Sequence, residues 1–160
     1  MSGTDPARVP IRGWLHIEVV HPDPDSAAKF LCDKLGGEIV ERELSATVRA
    51  LAVGVGCVHV RVTGVVFQLV RPIEGLEPWY SVLKQQGPCV HNVTFNVDGL
   101  EDARQVLEAA GAVKVAEMDM PLGGLSETDV NRVYVMDARQ QAGIRIEMAD
   151  VPRWVGGQAP

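Results

Sequence analysis

VHNVTFNVDGLEDARQVLEAAGA, Val90 to Ala112, decides how this sequence folds. Polar residues fall at alternate positions between Val90 and Val97, which is the period of a strand. Asp98-Gly99 is a turn signal. Ala103, Val106, Leu107 and Ala110 then recur at helical spacing on one face, and Gly111 stops the helix.

The same order occurs once before, in LHIEVVHPDPDSAAKFLCDKLGG, Leu15 to Gly37. Trp14 to Val20 reads as a strand. Asp23 suits an N-cap and Pro24 the first helical position. Ala27, Phe30 and Leu31 fall on one helical face with Leu35 a turn on, and Gly36-Gly37 closes the helix. Three strands are expected after each helix. In the first half these are Glu38 to Glu43 and a hairpin, CVHVRV (Cys57–Val62) and VVFQLV (Val65–Val70), around Thr63-Gly64. In the second half they are Lys114 to Met118, Arg132 to Met136 and Gly143 to Met148. Met1 to Arg12 reads as a loose arm and Trp79 to Gln86 as a short connecting helix. Pro121 to Thr128 reads as a loop, while Ser45 to Gly56 fits no period. Repeated halves of this length pair to complete one sheet system. The expectation is therefore an α+β fold of two βαβββ modules, about 13–71 and about 89–149, forming a curled mixed sheet around a central cavity. They make one domain over about 1–150, followed by a tail at about 151–160.

Composition narrows the function. The apolar fraction of 46 % and charged fraction of 22 % are those of a globular chain, and aromatics at 5 % leave the core to Val, Leu, Ile and Ala. A net charge of −6 with no basic stripe removes the electrostatic term that drives nucleic-acid binding. No apolar run is long enough to span a membrane, and the first residues lack a signal-peptide pattern, so the expected compartment is the cytoplasm. Cys32, Cys57 and Cys89 form no CxxC pair and suggest neither a disulfide framework nor a zinc ribbon.

Alternation sorts the strands into two faces. Leu15, Ile17, Val19, Val58, Val60, Val62, Val93, Phe95, Val97, Ile144, Ile146 and Met148 form an aliphatic face for the helices. His16, Glu18, Cys57, His59, Arg61, Asn92, Thr94, Asn96, Arg145 and Glu147 form the other. The two-residue link places His59 opposite Gln68, so Gln68 joins the polar face. That face lacks Lys and is rich in residues that bind metals and substrates. Arg61 and Arg145, turned inward, could hold a carboxylate or phosphate. Glu18 and Tyr134 are further candidates for lining the cavity.

These stretches, with VVFQLVRPIEG and NRVYVMDARQQAGIRIEM, resemble the vicinal oxygen chelate superfamily, also called glyoxalase/bleomycin-resistance/dioxygenase-like, and within it methylmalonyl-CoA epimerase-like members. The resemblance implies a divalent metal (Co, Mn, Ni, Zn or Fe) held by one ligand from each of four strands. By position these are His16, Gln68, Asn92 and Glu147. Asn92 departs from the family, where a His stands. His91 is one residue early and alternation turns it toward the helices, unless a bulge swings it inward as the substitute ligand. The family's catalytic carboxylate on the third strand is also missing, an ungapped match placing Leu51 there. His59, opposite Gln68, is the replacement base, since an unperturbed imidazole suits proton transfer near neutral pH, or it fills the missing metal position; Glu147 is the other proton carrier.

The resemblance thus implies an epimerase, isomerase or lyase that removes a proton next to a carbonyl, on a small-molecule substrate such as an acyl-CoA, in a homodimer. Two alternatives stand beside it. One is a metal-free, drug-sequestering binding protein, in keeping with the incomplete ligand set. The other is an iron-dependent dioxygenase, which would need a second His from His91 or His59.

Overall fold

In the computed structural model, residues 8–40, 57–121 and 130–150 are described. The readings of Ser45 to Gly56, of most of the loop after Pro121 and of the tail lie outside them, as do Leu51 and the strand beyond Val40.

Asp23 caps the first helix, α1 (Pro24–Leu35), with its Oδ1 accepting the Ser26 N–H at 3.1 Å. The helix ends at Gly36 with φ +67°, a conformation glycine adopts without cost. Gly37 then passes so close to the sheet that a Cβ there would lie 2.7 Å from Val60 Cγ1. Ala28, with Ala27, Leu31 and Cys32, packs on Val60 and Leu69. Phe30 and Leu35, expected on that face, are instead exposed. The small residues at 27 and 28 let the helix lie close to the sheet, which turns its apolar contact toward them.

The strands are β1 (Ile11–Val20), β2 (Glu38–Ile39), β3 (Cys57–Val62), β4 (Val65–Val70), β5 (Cys89–Val97), β6 (Val113–Pro121), β7 (Val130–Ala138) and β8 (Ile144–Ala149). They form one eight-stranded sheet in the order β2-β3-β4-β1-β5-β8-β7-β6. The order is symmetric about its centre. β1 runs parallel to β4 and β5 runs parallel to β8, while β1 and β5 pair antiparallel and join the halves. Ile11 and Arg12 belong to β1 rather than to a loose arm. Ile11 pairs with Val97, and Arg12 donates to the Val97 carbonyl at 2.7 Å and to Asp150. The β3–β4 register is the expected one, Val62↔Val65 through His59↔Gln68, with Thr63 of the link at φ 54°.

The remaining helices are α2 (Trp79–Gln86), α3 (Leu100–Ala109) and α4 (Arg139–Ala142), the last a single turn where a polar turn was expected. α1 and α3 cover the aliphatic outer face. Under α3, Ala103 packs with Val97, Tyr134, Met136 and Met148. Tyr134 therefore lines the outer core, its hydroxyl donating to Glu101 at 3.1 Å, and does not join the polar face as expected. α2 does something the periodicity did not foretell. It packs with Val20 and Val135 on the inner face, closing one end of it with Trp79. No helix among the described residues is long and apolar enough to cross a membrane.

Candidate functional site

The polar face is not a wet surface. Glu18, His59, His91, Asn92, Thr94, Arg145 and Glu147 are all buried. Burying polar groups is unfavourable unless they bond to one another, and here most do. The seam between β1 and β5 sets them out. His16 pairs with Thr94 and Glu18 with Asn92 across the seam, Thr94 lies beside Glu147 on β8, and Glu18 lies beside Gln68 on β4.

Thr94 Oγ1 is the point of convergence. His16 Nε2 lies 3.0 Å from it, Asn92 Oδ1 3.1 Å and Glu147 Oε1 3.3 Å. A hydroxyl has one hydrogen to give. The other contacts are satisfied only if His16 donates from Nε2, or Glu147 carries a proton, or a cation shares the acceptors. Gln68 bonds His16, and His59 approaches the His16 ring edge-on with centroids 6.1 Å apart. Cys57 Sγ lies 3.8 Å from His59 Nδ1. Burial first, then the neighbouring His59, holds His16 down to about 3, so the imidazole is neutral.

A second centre lies one step along the seam. Asn92 Nδ2 donates to Glu18 Oε1 at 2.8 Å and reaches Glu147 Oε2 at 3.3 Å, tying the two carboxyls through one amide. Trp79 Nε1 donates to the same Glu18 oxygen. The pairing jumps from Glu18↔Asn92 to Val19↔Val90, which leaves His91 as the extra residue of a bulge. The bulge turns His91 as well as Asn92 toward Glu18, with Nδ1 3.2 Å from Glu18 Oε1. The His91 ring stacks on Trp79, centroids 4.9 Å apart and planes 22° apart. Simple alternation, which faced His91 to the helices covering the outer face, fails at this bulge.

Electrostatics follows from burial. Glu18 is pushed up to about 7, chiefly by desolvation and against the hydrogen bonds from Trp79 and Asn92. Glu147 is raised well above the usual carboxylate range by desolvation and then by Glu18. Neither carboxyl has a Lys or Arg partner among the described residues. A carboxyl raised on folding favours the folded state below its unfolded pKa of 4.5, and that contribution is lost as pH rises through about 7. Glu18→Gln keeps the acceptor for Trp79 and removes this dependence. The variant is therefore expected to gain stability over the native chain between pH 5 and 7, by roughly 1 kcal/mol per pH unit. Parallel urea midpoints of the two proteins across that range would refute the assignment. The lowered histidines are common to both proteins and drop out of the difference.

The structure thus brings His16, Gln68, Asn92, Glu147 and His59 into one cluster, with Glu18 and His91 at its edge. Arg61 stands apart, 3.3 Å from Glu38 near the β2 edge. Sequence reading missed Trp79 entirely. The only signal for it was an unusually large residue opening a short linker helix. None of the three cysteines forms a disulfide.

The sequence profile of the Glyoxalase/Bleomycin resistance protein/Dioxygenase superfamily matches residues 13–148, and the chain belongs to that superfamily. Solved structures share the architecture. Methylmalonyl-CoA epimerase from Mycobacterium tuberculosis is 19% identical, with a TM-score of 0.64 over 92% of this chain and 93% of that one. A hypothetical protein from Bacillus halodurans is 15% identical, with a TM-score of 0.64 over 92% and 96%. A Streptomyces coelicolor methylmalonyl-CoA epimerase variant in complex with 2-nitronate-propionyl-CoA is 15% identical, with a TM-score of 0.62 over 89% and 99%. Identities this low establish the shared fold. No curated protein matches the sequence.

Proposed function

We propose that this protein moves a proton at a carbon next to a carbonyl, as an isomerase or epimerase acting on a small acyl compound. The observation that carries this reading is the pair of buried carboxyls, Glu18 and Glu147, held to one Asn92 amide beside a neutral His16. Burial raises both carboxyls above their ordinary range, and a carboxyl shifted upward in this way is suited to take up and return protons. The fold shared with methylmalonyl-CoA epimerases supports the same reading and makes an acyl-CoA a reasonable first substrate.

The residues suit a divalent cation of the harder kind. His16 supplies a neutral imidazole and Glu147 a carboxylate, and the amide oxygens of Gln68 and Asn92 complete the set. No group of three or more His, Cys, Asp or Glu forms a metal site among the described residues, so the amides are essential to this assignment. The extra acceptors around the Thr94 hydroxyl are what a cation would satisfy. When bound there, the cation would polarise the substrate carbonyl and stabilise enolate charge. Glu147 takes the proton and Thr94 orients its carboxyl. His59, opposite Gln68, returns a proton from the other side. The packed seam and Trp79 exclude water, which strengthens each of these interactions.

The test compares wild type with His16→Ala after incubation with Co, Mn, Ni, Zn and Fe. Elemental analysis is expected to give about one ion per chain, lost in the variant. Wild type should also exchange the α-proton of acyl thioesters in heavy water. No ion in either protein and no exchange would refute the reading. It would favour the metal-free binding protein, a reading supported by Asn92 turning its Nδ2 rather than its oxygen toward both carboxyls. Oxygen uptake with iron in place of exchange would favour the dioxygenase.

A further inference from the structure

Among the described residues, nothing binds the Arg145 guanidinium. It is only 9 % exposed, and among the described residues it makes neither a hydrogen bond nor an ion pair. Asp137 is directly opposite on β7, but Arg139 occupies its carboxylate through Nε at 2.9 Å and Nη2 at 2.6 Å. That pair is neutral by itself and leaves the Arg145 charge uncompensated. Cys89, the other group close enough to be felt there, is engaged by its Sγ with Gln86 Oε1 at 3.9 Å.

On its other side, one step back from the Val93↔Ile146 pairing, Arg145 lies beside Asn92 and the bulge that carries His91. His91 Nε2 is buried with no partner among the described residues. The positive charges felt at His91 are those of Arg145 and Arg139. The ring cannot turn away to find a partner. Trp79 stacks on its face, and its Nδ1 lies 3.0 Å from Asn92 Nδ2 and 3.2 Å from Glu18 Oε1. A buried cation without a counter-charge and a buried ring nitrogen without a partner are each unfavourable. Arg145 and the His91 bulge share one end of the β5–β8 pair, within electrostatic reach of each other, and one anion bound between them resolves both.

We propose that Arg145 and His91 Nε2 form a carboxylate subsite, which anchors the charged end of the substrate beside Glu18 and Glu147. The subsite deepens, and its role in turnover rests on, the proton-transfer reading above. The charge count selects a carboxylate over a phosphate. Arg139 is neutralised by Asp137, so one positive charge remains, and it suits a monoanion. Glu18, 3.2 Å from His91 Nδ1, and Glu147, bonded to the neighbouring Asn92, oppose a dianion. The planar guanidinium also matches a carboxylate through two parallel hydrogen bonds.

Propionate and inorganic phosphate serve as the probes, titrated separately at matched ionic strength. The readout is the imidazole nitrogen–proton spectrum, and the chain has four histidines to assign by substitution. Propionate is expected to shift the His91 signals and leave His21 unmoved. Arg145→Met is expected to weaken propionate at least about tenfold, and Arg145→Lys, which keeps the charge and loses the fork, by less. Should Arg145→Met fold poorly, His91→Gln tests the same subsite, with the same tenfold loss expected. Unchanged affinity in the folded variants, no shift in wild type, or tighter binding of phosphate than of propionate would each overturn the proposal. Propionate binding needs no turnover. Loss of α-proton exchange with this binding intact would count against the proposed reaction alone, and loss of the binding with exchange intact against the subsite alone.

Discussion

Glu147→Gln is expected to lower α-proton exchange by about 10³-fold while leaving the protein at least as stable as the native chain. Both halves of that expectation come from the same geometry. Glu147 is 5 % exposed, lies near a second buried carboxyl, and has only Asn92 and Thr94 as partners among the described residues. As a carboxylate it bears a desolvation cost and repulsion from Glu18, and both raise its pKa. A neutral amide removes the repulsion, and its oxygen still accepts from Thr94 or Asn92. It has no proton affinity to offer a substrate carbon. The opposite movement of rate and stability distinguishes a strained acid–base group from a structural hydrogen bond. A variant that loses stability and keeps its exchange rate would assign Glu147 to the architecture. Measuring exchange in heavy water and the urea midpoint on one preparation decides between them.

Trp79→Ala is expected to cost about 3–5 kcal/mol, the largest stability loss of any single substitution considered for this chain. Trp79 is 2 % exposed and packs with Val20, Val82 and Val135. Truncation opens a large void between α2 and the sheet. It also removes the indole donor to Glu18 and the ring stacked on His91. Trp79→Phe divides the effect, because it keeps a ring over His91 while removing the N–H and only part of the packed volume. It should cost about 1–3 kcal/mol, for the lost hydrogen bond to Glu18 and the space the smaller ring leaves. Urea denaturation followed by far-ultraviolet circular dichroism checks both. Equal midpoints for Trp79→Phe and wild type would show that the indole N–H contributes nothing at Glu18.

Much of this arrangement was legible in the residues. Thr63-Gly64 fixes the hairpin and hence His59 opposite Gln68, because a two-residue link permits one register. The alternation of Val58, Val60 and Val62 against Phe67 and Leu69 assigns the aliphatic face without any structure, and the α1 cluster is made of these residues. His16, Glu18, Asn92, Thr94 and Glu147 sort to the polar face by the same period. Tyr134 was misplaced because β7 is buried on both faces, from Val133 to Met136, so no alternation marks its inner side. His91 defeats the period for a different reason. A bulge adds one residue to a strand, and nothing in VHNVT announces it. Trp79 was out of reach because a short helix can cover either face of a sheet. The choice is made by what the face needs, here a donor for Glu18 and a ring for His91.

The seam has a consequence for the order of events in folding. The bonds that assemble the site join residues 61, 74 and 78 positions apart, Trp79 to Glu18, Asn92 to Glu18 and Thr94 to His16. The β3–β4 hairpin closes over a two-residue link, and β7 and β8 meet after a single helical turn. Each half can therefore gain its outer strands early, whereas β1 and β5 meet only after the long intervening chain has been confined. This buried polar cluster is then among the last parts of the molecule to form, and it dissolves only when the two halves part. A ligand held at that seam resists their separation directly, so occupancy should slow hydrogen exchange across both modules rather than at the site alone.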